Sequence, residues 1–315
     1  MRKTNACVAV AAIAGAMFAL GMAVPLIGVP PRLFVAGTVI VSVLFVGLPI
    51  LFLYSISNLK LRPAAAVTVF AIGVLMMLLI ERTIPHAAFP WQAAALGSAG
   101  QIAVVLWAGS VGALVAMMFK DRNLVVPAAI MLAAIDFVIV LAPAGIVHKA
   151  LQSDQGRRVF EAVAYKVPSL GHLQPAAFIG PADFLFVAMF FVVINRFEMK
   201  KSATLIAVAV ALIAYLLIVL MFGQRTFAGI SLTALPALVP IGVAVLIANR
   251  SEFKMNQQEK LMCWIVAGLC ALMVGVTLLA RTRSRPERAA QVYRAASDNL
   301  AAAVFASSGP STFVD

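Results

Sequence analysis

Charge is scarce in this sequence. Only 11% of its 315 residues are Asp, Glu, Lys or Arg, while 63% are hydrophobic. With a mean hydropathy of +1.03, too little polar side chain remains to cover a water-facing globule of this size, which excludes a soluble domain. Histidine and cysteine are scarcer still, with three of each. His86, His148 and His172 all fall in connections and no His-Glu-x-x-His occurs, so a zinc site or a Ser–His pair inside a membrane lacks its histidine. Cys7, Cys263 and Cys270 lie in apolar runs and read as small packing residues, not as a disulfide framework or a metal site. No metal and no cofactor is expected.

What the chain does have is long apolar runs, at 5–24, 33–54, 63–80, 93–119, 124–146, 177–195, 203–222, 229–248 and 261–280. About 20 apolar residues in a helix cross a bilayer. Helices alone satisfy the backbone of an open chain in lipid, and the runs are continuous, unlike the alternating segments of a β-barrel. The expectation is an all-α polytopic membrane protein of about nine transmembrane helices. Arg2 and Lys3 before the first run, with Gly21-Met-Ala23 near its end, also resemble a secretory signal, but a retained first helix is the preferred reading.

The net charge of +12 points to the bilayer as partner and not to nucleic acid, because the cations gather in the connections. On the side of the N-terminus lie Lys60, Arg62, Lys120, Arg122, Arg196, Lys200, Lys201, Arg250, Lys254 and Lys260; the short connections opposite hold Arg32, Arg82 and Arg225. That asymmetry makes the first side cytoplasmic. The long connection 147–176 then lies outside and reads as a loop. Arg281, Arg283, Arg285 and Arg288 follow the ninth run on the same outer side, against the trend, and open a tail that reads as a partly amphipathic surface helix. The chain divides into 1–123, N-terminal membrane helices; 124–248, a core; 249–283, a final membrane helix; and 284–315, a basic tail.

Two acids stand inside apolar runs, Asp136 in Met131-Leu-Ala-Ala-Ile-Asp136 and Asp183 in Phe178-Ile-Gly-Pro-Ala-Asp183. A charge at the bilayer centre costs at least about 2.5–3.5 kcal/mol on insertion scales, so such a residue is a functional candidate by default; the alternative is a neutral Asp acting as interhelical glue. The two sit on consecutive, antiparallel runs, at depths of roughly 15 and 10 Å from the outer face if the runs are helical throughout. Two close carboxyls in a low dielectric share one proton, so one can accept a proton from water while the other polarises a peptide carbonyl. Gly180-Pro181-Ala182 before Asp183 loosens the helix and leaves room for another chain. In the eighth run, Pro236 and Pro240 break the ladder at a similar depth, roughly 10 Å.

These features together resemble the presenilin and signal peptide peptidase family of intramembrane aspartyl proteases. That family carries Tyr-Asp on one helix, Gly-x-Gly-Asp on the next and Pro-Ala-Leu on a later one; this chain has Ile135-Asp136, Gly180-Pro-Ala-Asp183 and Pro236-Ala237-Leu238, in that order, within about 124–248. The resemblance implies a presenilin-like bundle and a prokaryotic cytoplasmic membrane. Asp136 and Asp183 would form the catalytic dyad, while Gly180, Pro236, Ala237 and Leu238 would shape the site and hold substrate. The partner would be the transmembrane segment or signal peptide of another protein, unwound and added as a strand, and the threading implies a type II orientation for it. Ile135 in place of Tyr and Ala182 in place of Gly depart from the pattern, and four runs precede the first Asp where the family has five. Two other readings are a proton-coupled transporter or channel, in which the aspartates relay protons, and a family member that binds membrane helices without cutting them.

Overall fold

The computed structural model describes residues 2–27, 30–141, 154–170, 175–222, 226–227, 230–231 and 237–279. These are mostly helical. Helices α1 (Arg2–Ala23), α2 (Phe34–Ser57), α3 (Pro63–Thr83), α4 (Pro90–Met117) and α5 (Val125–Leu141) follow the first five runs closely. Then come α6 (Asp154–Val163), α7 (Pro181–Arg196), α8 (Lys201–Phe222), α9 (Leu238–Ala248) and α10 (Gln257–Leu279). Among the described residues, seven helical segments are long and apolar enough to cross a membrane.

Two apolar runs are not helical throughout. The sixth opens with a strand, β2 (Ala177–Ile179), and α7 begins only at Pro181. At 16 residues, α7 is about 24 Å long. The eighth run starts in the short hairpin β3 (Thr226–Phe227) and β4 (Ile230–Ser231), and its helix α9 has 11 residues, about 16 Å. Neither helix alone matches a hydrocarbon core of about 30 Å. Proline explains both starts. Pro181 occupies the first helical position and Pro240 the third, where the missing N–H has no intrahelical partner anyway.

The connection 147–176 is not simply a loop. Asp154-Gln-Gly-Arg-Arg-Val-Phe-Glu-Ala-Val forms α6, and Tyr165–Val167 forms β1. The charges and Gly156 mask an apolar face made by Val159, Phe160 and Val163, and the Phe160 ring meets Phe178 of β2 at 6.0 Å. β1 pairs antiparallel with β2, Tyr165 opposite Ile179 and Val167 opposite Ala177. Tyr165 is buried between Phe45 of α2 and Phe184 of α7, its ring 5.1 Å from that of Phe184. Burial pushes its hydroxyl well above the ordinary tyrosine range. The strand pair is thereby pinned to the helices and delivers the chain to Gly180.

α7 is the best-buried helix, with Phe184, Val187, Met189, Phe190, Phe191, Val193 and Ile194 all in the core. It packs along α4 and against α2, while α9 packs along α5 and α8 and touches α7. Glycines on α4 make the closest crossing possible. A Cβ on Gly112 would lie 2.1 Å from the Leu185 carbonyl oxygen, and one on Gly109 2.5 Å from a Leu53 methyl. Without a hydrophobic force between helices in lipid, such small-residue contacts supply the packing energy. Ser110 between them is buried and bonded to its own helix at Leu106 O, as a packing residue should be. At the opposite extreme, none of the apolar window of α10 is buried; Cys263 and Cys270 on it are partly covered.

The cation-bearing connections converge at one end of the bundle. Asn195 donates to Ser57 O and Asn58 Oδ1, Arg196 to Met117 O, and Asn123 to Lys254 O. Asn249 accepts from the Lys200 N–H and donates to Thr204 Oγ1. These side chains satisfy backbone carbonyls and N–H groups at or near helix ends.

Candidate functional site

At the other end of α7, the chain leaves β2, turns at Gly180 and enters the helix. Gly180 is the N-cap, with φ −68° and ψ 146°, a conformation open to any residue. Asp183 is the third helical residue; its N–H donates to Gly180 O at 3.1 Å. Its carboxyl folds back over the cap, since a Cβ on Gly180 would stand 3.6 Å from Asp183 Oδ2, ordinary contact. Gly180 is therefore a close neighbour of the carboxyl, not a backbone necessity. A carboxylate in the first turn also faces the positive end of the helix dipole. The helical path expected for the sixth run up to Asp183 is not there: Ala177–Ile179 is extended and Asp183 lies in the first turn of its helix.

Asp136 belongs to the interior of α5, whose apolar sequence runs continuously from Val125 to Leu141. Its Oδ2 accepts a hydrogen bond from the Leu238 N–H at 2.9 Å. Leu238 is the first residue of α9 and is buried, and Ala237 before it is a half-buried N-cap whose side chain caps nothing. One orphan N–H of α9 thus finds its acceptor on a different helix. This bond ties the first aspartate to Ala237-Leu238 across about a hundred residues of sequence. Pro236 lies outside the described residues. Close packing supports the same junction, for a Cβ on Gly242 of α9 would sit 3.4 Å from Ala129 O of α5.

The two carboxyls are close enough for Asp136 to act electrostatically on Asp183. Yet among the described residues α5 and α7 do not pack along each other; α9 bridges them. Each carboxyl thus stands at a helix N-terminus, Asp183 in the first turn of α7 and Asp136 against the first N–H of α9. Such ends present unpaired N–H groups and positive dipoles to negative charge. Ile135 and Ala182, which depart from the motif pattern, are both exposed, so neither fills the space between the carboxyls.

Sequence reasoning missed Tyr165 and the strand pair that position Gly180. A three-residue strand is too short to show a period, although Tyr165 and Val167 inward with Lys166 outward is the alternation a strand requires. It also missed Asn195, whose signal was an amide at the end of an otherwise apolar helix.

No protein-family model, no curated protein and no solved structure matches this chain.

Proposed function

We propose that the chain is an intramembrane aspartic endopeptidase of the presenilin and signal peptide peptidase type, cutting transmembrane segments of other proteins. The observation that carries this reading is the Asp136–Leu238 hydrogen bond, which joins one motif to another, with Asp183 in electrostatic reach. Asp136 and Asp183 share a proton and activate water between them, one as base and the other as acid toward the scissile carbonyl. Gly180, Ala237 and Leu238, with Pro236, border the substrate.

The shortness of α7 and α9 supports the same reading. If both cross the membrane, giving nine crossings, extended chain must complete their paths. Non-helical backbone at that depth is tolerated only where protein buries it or water lines it. A hydrolase needs that water beside its carboxyls. The reading adds the unwound substrate as a strand beside the β1–β2 pair. The reading places the protein in a prokaryotic cytoplasmic membrane, with the dyad toward the outer side.

The test is to reconstitute the full chain in liposomes with a type II model transmembrane substrate. Wild type should release a fragment cut within the membrane segment, and Asp136→Ala or Asp183→Ala should release none. Cleavage surviving either substitution removes the dyad assignment. Proton flux without cleavage, lost in the same variants, replaces the protease with a proton-coupled transporter.

A further inference from the structure

A cavity lies far from the aspartates, at the cation-bearing end of the bundle. It encloses ≈ 400 Å³ and is lined by the ends of α2, α4 and α7 together with the α2–α3 turn. That volume falls in the range of about 300–1,000 Å³ typical of small-molecule sites. Its wall is apolar, formed by Ile56, Leu61, Met117 and Val192 among others, and its charged lining residues are Lys60 and Arg196, with no carboxylate among them. Both cations are exposed at the rim, and neither is paired with a carboxylate among the described residues.

The polar groups already committed narrow what the site can accept. The Asn195 amide is taken up by Ser57 O and Asn58 Oδ1. Arg196 donates one N–H to Met117 O at 3.0 Å and lies over the Phe197 ring, which fixes the guanidinium and leaves its remaining donors available. Lys60 sits at φ 49°, the left-handed region where glycine is at home and a lysine is strained. A lysine held there, beside an arginine and above an apolar wall, complements an amphiphile with a negative head. Cation-bearing pockets between helices at the cytoplasmic face suit anionic lipid heads.

We propose that this cavity binds an anionic phospholipid, its phosphate between Lys60 and Arg196 and the first methylenes of an acyl chain against Ile56, Met117 and Val192. The assignment is independent of the protease reading.

The test is native mass spectrometry of the full chain in detergent with phosphatidylglycerol or phosphatidylcholine of matched chains. Wild type should retain phosphatidylglycerol preferentially. Each cation contributes about fivefold, so Lys60→Gly or Arg196→Gln should each lower that preference by about this factor and the pair should abolish it. Lys60→Gly suits its backbone conformation, and Arg196 is exposed, so thermal stability should hold. Met117→Trp fills the cavity with the charges intact and should also lower retention. Equal retention of the two lipids by wild type, or a preference unchanged in the double variant, overturns the proposal. Displacement by free glycerol phosphate as effectively as by lipid would make this a soluble-phosphate site and overturn the lipid assignment.

Discussion

α7 and α10 are two apolar helices of the same chain with opposite fates. α7 carries Asp183 and buries nine of its 16 residues; α10 has 23 residues and none of its apolar window buried. Hydropathy does not separate them, because lipid is as apolar as a protein core. What separates them is the partner surface. α4 offers Gly112 to α7, with Gly109 beside it against Leu53 of α2, and the backbones approach until Gly112 nearly touches Leu185 O. α10 has glycines of its own, Gly268 and Gly275, but each faces open space. Membrane helices are sorted by shape complementarity, and in this protein the helix so fixed is the one that carries Asp183.

That contrast can be broken by substitution. The largest effect on stability should come from Gly112→Val, which must push α7 away from α4; overpacking of this kind costs about 3 kcal/mol or more, against a change within about 1 kcal/mol for Gly268→Val on α10. Unfolding by SDS in mixed micelles measures both, and equal effects would refute the account of α7. Next, Phe190→Ala should cost about 3 kcal/mol through the cavity it leaves, because Phe190 is 2% exposed. Trp264→Ala on α10 should change the same midpoint by less than about 0.5 kcal/mol, because Trp264 is 76% exposed. A smaller loss, about 1 kcal/mol, is expected for Asn195→Ala, which leaves Ser57 O without its donor. The smallest stability effect belongs to Gly180→Ala, whose methyl meets Asp183 Oδ2 at 3.6 Å; SDS unfolding should be unchanged while the cleavage rate of the model substrate falls severalfold.

Most of this helical framework was legible in the sequence, because a bilayer leaves an apolar run few alternatives to helix. Asp136 and Asp183 were legible for the complementary reason, that acids in such runs are costly and therefore conspicuous. The extended starts of the sixth and eighth runs were not. Ala177–Ile179 is as apolar as the helix that follows it, and only its pairing with Tyr165–Val167 makes it a strand. Nor was the Asp136–Leu238 bond, since a backbone N–H carries no sequence signature. Prolines at 236 and 240 marked where backbone groups would be freed, not which side chain would accept from them.

The most direct measurement compares single and double variants of the dyad. Cleavage of the transmembrane substrate is followed for wild type, Asp136→Asn, Asp183→Asn and the double variant, each shown to be folded by SDS unfolding. Residues acting as one catalytic unit lose activity non-additively, so each single change should reduce the rate as far as the double change does. Measurable cleavage by either single variant, or a double loss equal to the product of two partial ones, would contradict a shared site.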